Sequence, residues 1–167
     1  MHRSGCFVTV FAATLTLAAA TVARAQTEPV ALVQHFLGAF DRSDAAGMLA
    51  LFADEAVIDD EGGPCAAVPC VGKDAIQKAL ERRAANTPPV HTILTTSVSG
   101  NVVTMRVEVR SDRIKQAGVE RIIEWAIFET NGEKIAYTHG GILDRSDPQT
   151  ARFAAWRRTQ RAQPPAR

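Results

Sequence analysis

Apolar residues recur at helical spacing in the first half of the chain and at strand spacing in the second. From Val30 to Phe40, the residues Val33, Phe36, Leu37 and Phe40 fall three and four positions apart, which predicts an amphipathic helix. Arg42-Ser43-Asp44 interrupts it, and Ser43 or Asp44 is placed to cap a short second helix running to Phe52. Val57 and Ile58 open a strand that ends in the polar stretch Asp59-Asp60-Glu61-Gly62-Gly63-Pro64. Gly72-Lys73-Asp74 opens a third helix, with Ile76, Ala79 and Leu80 on its inner face and Pro88-Pro89 beyond its end. The period then becomes two. Val90 to Ser99, Val102 to Lys115, Glu120 to Thr130 and Ile135 to Leu143 read as strands of an antiparallel meander. Ser99-Gly100-Asn101 and Asn131-Gly132 mark tight turns between them. Ser146-Asp147-Pro148 then supplies a cap followed by proline at the first helical position, and Phe153 and Trp156 lie one turn apart on that last helix. The expected class is α+β, with helices packed on one face of a curved sheet and a ligand-sized space between the layers.

The N-terminal stretch does not follow either period. Phe7 to Ala20 is almost wholly apolar or small, His2 and Arg3 precede it, and Ala23-Arg24-Ala25 has small residues where a signal peptidase reads. Residues 1–25 are therefore expected to form a signal peptide cut before Gln26, with an uncleaved anchor as the alternative. The mature protein would then be exported, to the periplasm or outside the cell, and would not be held at a membrane. It keeps 142 residues (167 less 25), enough for one domain over residues 26–160, and a disordered tail from 161 to 167.

Composition excludes one class of partner. Removing Arg3 and Arg24 takes the formal charge from +1 to −1, so there is no basic face to suggest a nucleic-acid partner. Cys6 leaves with the signal, and the remaining Cys65 and Cys70 favour a disulfide in an oxidising compartment. Two thiols without a histidine in the same loop make a metal site the weaker reading, and no metal ion is expected.

Several polar residues stand out from the pattern. Glu124 lies in a strand whose two faces are both partly apolar, a setting in which a carboxylate is either paired or functional. Tyr137 and His139 share a face of the last strand, and histidine is easily tuned for proton transfer at neutral pH. His35 and His91 have weaker cases. Val103, Met105, Val107 and Val109 form one face of a strand, so Arg106, Glu108, Arg110 and Asp112 form the other. That charged ladder is expected to face solvent as cross-strand ion pairs unless a bulge near Arg110 turns it inward.

Four segments carry a resemblance to a known family. They are Phe40-Asp41-Arg42-Ser43-Asp44, then Leu51-Phe52-Ala53-Asp54-Glu55-Ala56-Val57, then Gly72-Lys73-Asp74-Ala75-Ile76, and last Asn131-Gly132-Glu133-Lys134-Ile135. In order and spacing, Val30 to Asp144 resembles the nuclear-transport-factor-2-like (NTF2-like) superfamily, and within it the SnoaL-like domains. The resemblance implies a cone of curved antiparallel sheet wrapped by three N-terminal helices, with a C-terminal helix. It also implies a pocket for a small, largely apolar molecule and a homodimer. Phe36, Ile58, Trp125 and Tyr137 are expected to line the pocket.

The branches of the superfamily place chemistry differently. Similarity to ketosteroid isomerases puts a catalytic base at Asp60 and an oxyanion-stabilising acid at Glu124; His139 is a further catalytic candidate from its own place on the last strand. An apolar cone raises the pKa of a carboxylic acid, so such a pair divides base and donor roles without a cofactor. The tyrosine of that branch falls on Phe36, which donates no hydrogen bond. Similarity to limonene epoxide hydrolases instead picks out Arg110-Ser111-Asp112, with Arg110 and Asp112 around an activated water. The superfamily also contains binding and assembly modules with no catalytic role.

Overall fold

The structure, a computed structural model, describes residues 29–85 and 87–162. The expected signal segment, 1–25, lies outside the described residues. Helix α1 spans residues 29–41, α2 Ala45–Ala50, α3 Lys73–Ala84, α4 Asp112–Gln116 and α5 Pro148–Ala162. Helix α5 thus runs two residues past the expected end of the domain. The strands are β1 Phe52–Ile58, β2 Cys70–Val71, β3 Val90–Ser99, β4 Val102–Arg110, β5 Ile122–Thr130 and β6 Ile135–Leu143. They form one curved six-stranded sheet in the order β2-β1-β6-β5-β4-β3. The expected sheet, three N-terminal helices and C-terminal helix are present. One pair departs from the antiparallel pattern, because β1 runs parallel to β6 with Ile58 opposite Thr138.

Four boundaries differ from the sequence reading. Helix α2 stops at Ala50, and its strand begins at Phe52 instead of Val57. Phe52, Ala56 and Ile58 are buried in the core, and Phe52 pairs with Ile135. The polar Asp54-Glu55 between them had masked the strand period. Strand β2 was not foreseen. It is short, and it pairs Cys70 with Ile58 at the sheet edge. Strand β4 ends at Arg110 and does not reach Lys115, because the Ser111 side chain accepts a hydrogen bond from the Ile114 N–H at 3.3 Å and starts α4. Gly118, at φ 72°, returns the chain to the sheet, so β5 begins at Ile122 and not at Glu120.

Caps elsewhere match their residues. The Asp44 side chain accepts from Gly47 N–H at 2.8 Å at the start of α2. At the start of α5, Asp147 accepts from the Thr150 N–H, while the fully buried Thr150 hydroxyl accepts from Ile123 N–H at 2.7 Å. That pairing fixes α5 against β5. Cys65 and Cys70 form a disulfide with Cα atoms 5.3 Å apart. Closing so short a loop contributes about 2 kcal/mol, so it chiefly holds the segment after β1 in place.

Candidate functional site

Helices α1 and α3, the concave sheet face and α5 line an open-mouthed cavity of about 640 Å³. That volume suits a small organic ligand. Its wall is mainly apolar, built from Phe36 and Phe40 of α1, Ile58 of β1, Val109 of β4, Phe128 of β5 and Phe153 of α5. Phe36 packs edge-on to both Phe52 and Phe128, with ring centroids 5.5 and 5.6 Å apart.

Two carboxylates face this apolar space. Asp60 follows β1, and the sheet pairing continues past it through Asp59 N–H to Thr138 O and Glu61 N–H to Gly140 O. Alternation therefore turns Asp60 inward with Ile58, and its side chain is only 12% exposed. Burial pushes its pKa up, against the opposing pull of the Arg83 guanidinium and a backbone hydrogen bond from Gly140. Glu124 stands on β5 between Val107 of β4 and Leu143 of β6, and shares its inward face with Ala126 and Phe128. Burial pushes the Glu124 pKa up to about 7. The Arg83 charge opposes that rise, the neighbouring Asp60 charge adds to it, and Arg157 opposes it. Among the described residues the Glu124 carboxyl makes no hydrogen bond. Its accessible surface opens into the cavity. Glu124 is thus close to half protonated at neutral pH, while burial raises the Asp60 pKa against the opposing pull of Arg83 and Gly140.

Arg83 joins the two carboxylates, and sequence reasoning missed it. Its Nη2 donates to Asp60 Oδ2 at 3.5 Å, and its guanidinium lies 4.6 Å from the Phe40 ring centroid. The signal was present. Arg83 stands three residues after Leu80, four after Ala79 and seven after Ile76, which are the buried residues of α3. Backbone also makes room for the group. A Cβ at Gly63 would stand 2.4 Å from Arg83 Nη2 and 2.9 Å from Asp60 Oδ2, and one at Gly140 would stand 3.0 Å from Asp60 Oδ1.

The other predicted residues lie elsewhere. Trp125 does not line the cavity. It points from the opposite side of β5 to Glu124, with its ring centroid 6.0 Å from the Arg106 guanidinium. Tyr137 is likewise off the lining, because its partners are Val57 and the exposed Glu129 rather than the inward Ile58 and Phe128. Its hydroxyl donates to Asp59 Oδ2 at 3.5 Å. His139 borders the cavity, but its Nδ1 lies 3.3 Å from that same Asp59 oxygen, without hydrogen-bond geometry. Asp59, Tyr137 and His139 thus form their own cluster, next to Asp60, on which the His139 and Asp59 charges act in opposite senses.

The charged ladder on β4 faces outward. Arg110 Nη2 sits 2.8 Å from Glu108, with its side chain 53% exposed, and Arg106 and Arg121 pair with Asp144 and Glu108. Asp112 stands at the cavity mouth on α4, with its side chain 67% exposed and Lys115 at 3.5 Å. Arg110 and Asp112 therefore do not meet inside the cone.

With the site in place, relatives are informative. The SnoaL-like domain family matches residues 33–138. No curated protein matches the sequence. Among solved structures, an epoxide hydrolase of the LEH-like type from M. tuberculosis superposes with a TM-score of 0.57 at 17% identity, covering 83% of this chain and 98% of its own. A putative polyketide cyclase from Sinorhizobium meliloti gives 0.54 at 21% identity, covering 66% and 93%. An NTF2-like protein of unknown function from Mesorhizobium loti gives 0.57 at 17%, covering 71% and 93%. At these identities the structural likeness speaks to the fold alone.

Proposed function

This chain belongs to the SnoaL-like domain family, and from that premise we propose that its cone binds a small, largely apolar molecule and performs acid–base chemistry on it without a cofactor. One observation carries the reading: two carboxyl groups of unequal surroundings face one largely apolar, open-mouthed cavity, with Glu124 pushed to about 7. Families of this fold include binding proteins, and in a purely binding cone Glu124 would act only as a hydrogen-bond donor to the ligand.

The residues divide the work as follows. The Asp60 carboxylate takes a proton from a carbon next to a carbonyl group. Protonated Glu124 donates a hydrogen bond to the carbonyl oxygen as negative charge builds there. Arg83 adds positive charge close by, at a site where Phe36 supplies no donor. Where a double bond lies beyond the activated carbon, return of the proton from Asp60 to the far end of the dienolate gives the conjugated isomer. Attack by the enolate carbon on a second carbonyl of the same molecule instead closes a ring, and the proton held by Asp60 passes to the new alkoxide. A hydrolase acting through Arg110 and Asp112 lacks comparable support, since the Arg110 guanidinium is paired on the outer face.

The test is solvent isotope exchange. In D2O at pH 6.5, the protein is expected to load deuterium at the activated carbon of apolar enolisable ketones such as 2-tetralone faster than buffer does, followed by proton NMR. Ketones that bind but exchange only at the buffer rate would count against catalysis and leave a binding protein. Export is proposed alongside, supported by the Cys65–Cys70 disulfide, which persists best in an oxidising compartment. Pairing of two copies through the outer sheet face is a further proposal that rests on the family.

A further inference from the structure

We propose that His91, held by Asp41, is a second polar station on the cavity wall, and that the ligand carries a hydroxyl group which donates a hydrogen bond to it. The inference rests on the reading that the cone binds an apolar molecule, and adds to it the substituent that molecule bears.

Strand pairing brings the histidine inside. His91 of β3 lies directly opposite Val109 of β4, one of the inward row, and both line the cavity. Its side chain is only 9% exposed. The ring stands edge-on to Phe40, with centroids 4.9 Å apart. Nδ1 is in hydrogen-bond contact with the Asp41 carboxylate at the end of α1.

That contact sets the tautomer. An ionised carboxylate only accepts, so Nδ1 carries the proton. Burial lowers the pKa of His91, against the upward pull of Asp41 and with a smaller downward push from Arg83, which favours the neutral ring. A neutral imidazole protonated at Nδ1 has a lone pair on Nε2. Among the described residues Nε2 has no hydrogen-bond partner; Phe40 and Val109 are its apolar neighbours on the wall, and the Arg83 guanidinium lies over the same Phe40 ring. An acceptor of this kind, fixed by a carboxylate behind it, matches an O–H group on the ligand. A substrate of hydroxylated, apolar, carbonyl-bearing type satisfies both stations, its carbonyl at Glu124 and its hydroxyl at His91.

A pair of probes that differ only in the donor tests this. The dissociation constants of 2-naphthol and 2-methoxynaphthalene are to be measured by fluorescence at pH 7 for the wild type, His91→Phe and Glu124→Gln, with thermal melts confirming that each variant folds. The wild type is expected to prefer 2-naphthol by roughly 5–10-fold, the scale of one hydrogen bond. His91→Phe should abolish the preference while binding 2-methoxynaphthalene as before, and Glu124→Gln should retain it. Long-range proton–nitrogen spectra of the free protein should show the proton on Nδ1, and Asp41→Asn should move part of it to Nε2 and reduce the preference. A preference that survives in His91→Phe, or a free ring protonated at Nε2, would overturn the proposal. Binding of both probes without preference would sink the hydroxyl station alone. If neither naphthalene binds the wild type, the apolar-cavity reading itself fails and this inference with it.

Discussion

Asp60→Asn is expected to slow deuterium exchange into an apolar ketone about 10³-fold, the middle of the range for loss of a positioned general base. Asparagine keeps the shape and the contact with Gly140, but its amide does not take a proton from carbon. Ligand affinity should stay within a few-fold, because the wall that binds the apolar body is unchanged. A second consequence follows from charge. The Asp60 carboxylate raises the Glu124 pKa, so its removal should bring Glu124 down from about 7. A proportionate loss of binding and exchange together would point to a collapsed cavity instead of a missing base, and parallel measurement of the dissociation constant separates the two.

Glu124→Gln is expected to stabilise the fold while impairing turnover. The folded pKa of about 7 lies above the ordinary value of 4.5. Below pH 4.5 the carboxyl is protonated in both folded and unfolded chains, and its contribution is fully present. Between 4.5 and about 7 the unfolded chain releases the proton first, so stability falls as pH rises, and the loss is complete above the folded pKa. Some screening through the cavity reduces the effect, leaving about 2 kcal/mol at pH 8. Glutamine carries no such burden. Urea titrations from pH 4 to 8 should therefore show the variant pulling ahead of the wild type across that window, with the two close together at the acid end. Turnover should fall roughly 10²-fold, since an amide N–H is a weaker donor than a carboxylic acid, and the decline of activity above pH 7 should vanish. A variant less stable than wild type at pH 8 would mean that Glu124 is held by partners in its charged form.

Most of the fold was legible because each long element keeps one period. Val33, Phe36, Leu37 and Phe40 mark α1, and Val103 to Val109 mark β4, with little competition from local polar groups. Failures came where one residue's chemistry outweighs the period. Ser111 turned a strand into a helix start, and Asp54-Glu55 hid the first half of β1. In the site, Glu124 came partly from its apolar surroundings and partly from family resemblance, and Asp60 from the resemblance alone. Trp125 and Tyr137 were assigned to the cavity for a different reason. Alternation says which residues share a face, but only the pairing partner says which face is inside, and both faces of β5 are apolar enough to mislead. Spacing alone puts Arg83 on the inner side of α3, but that it meets His91 of β3 over Phe40 is a juxtaposition set by tertiary packing.

The most direct measurement is a carbon-detected NMR titration of side-chain carboxyls in the intact protein, assigned with Asp60→Asn and Glu124→Gln. Glu124 should titrate near pH 7, with Asp60 above its ordinary 3.8. A Glu124 midpoint near 4.5 would contradict a protonated donor in the cone, and with it the division of roles on which the proposed chemistry depends.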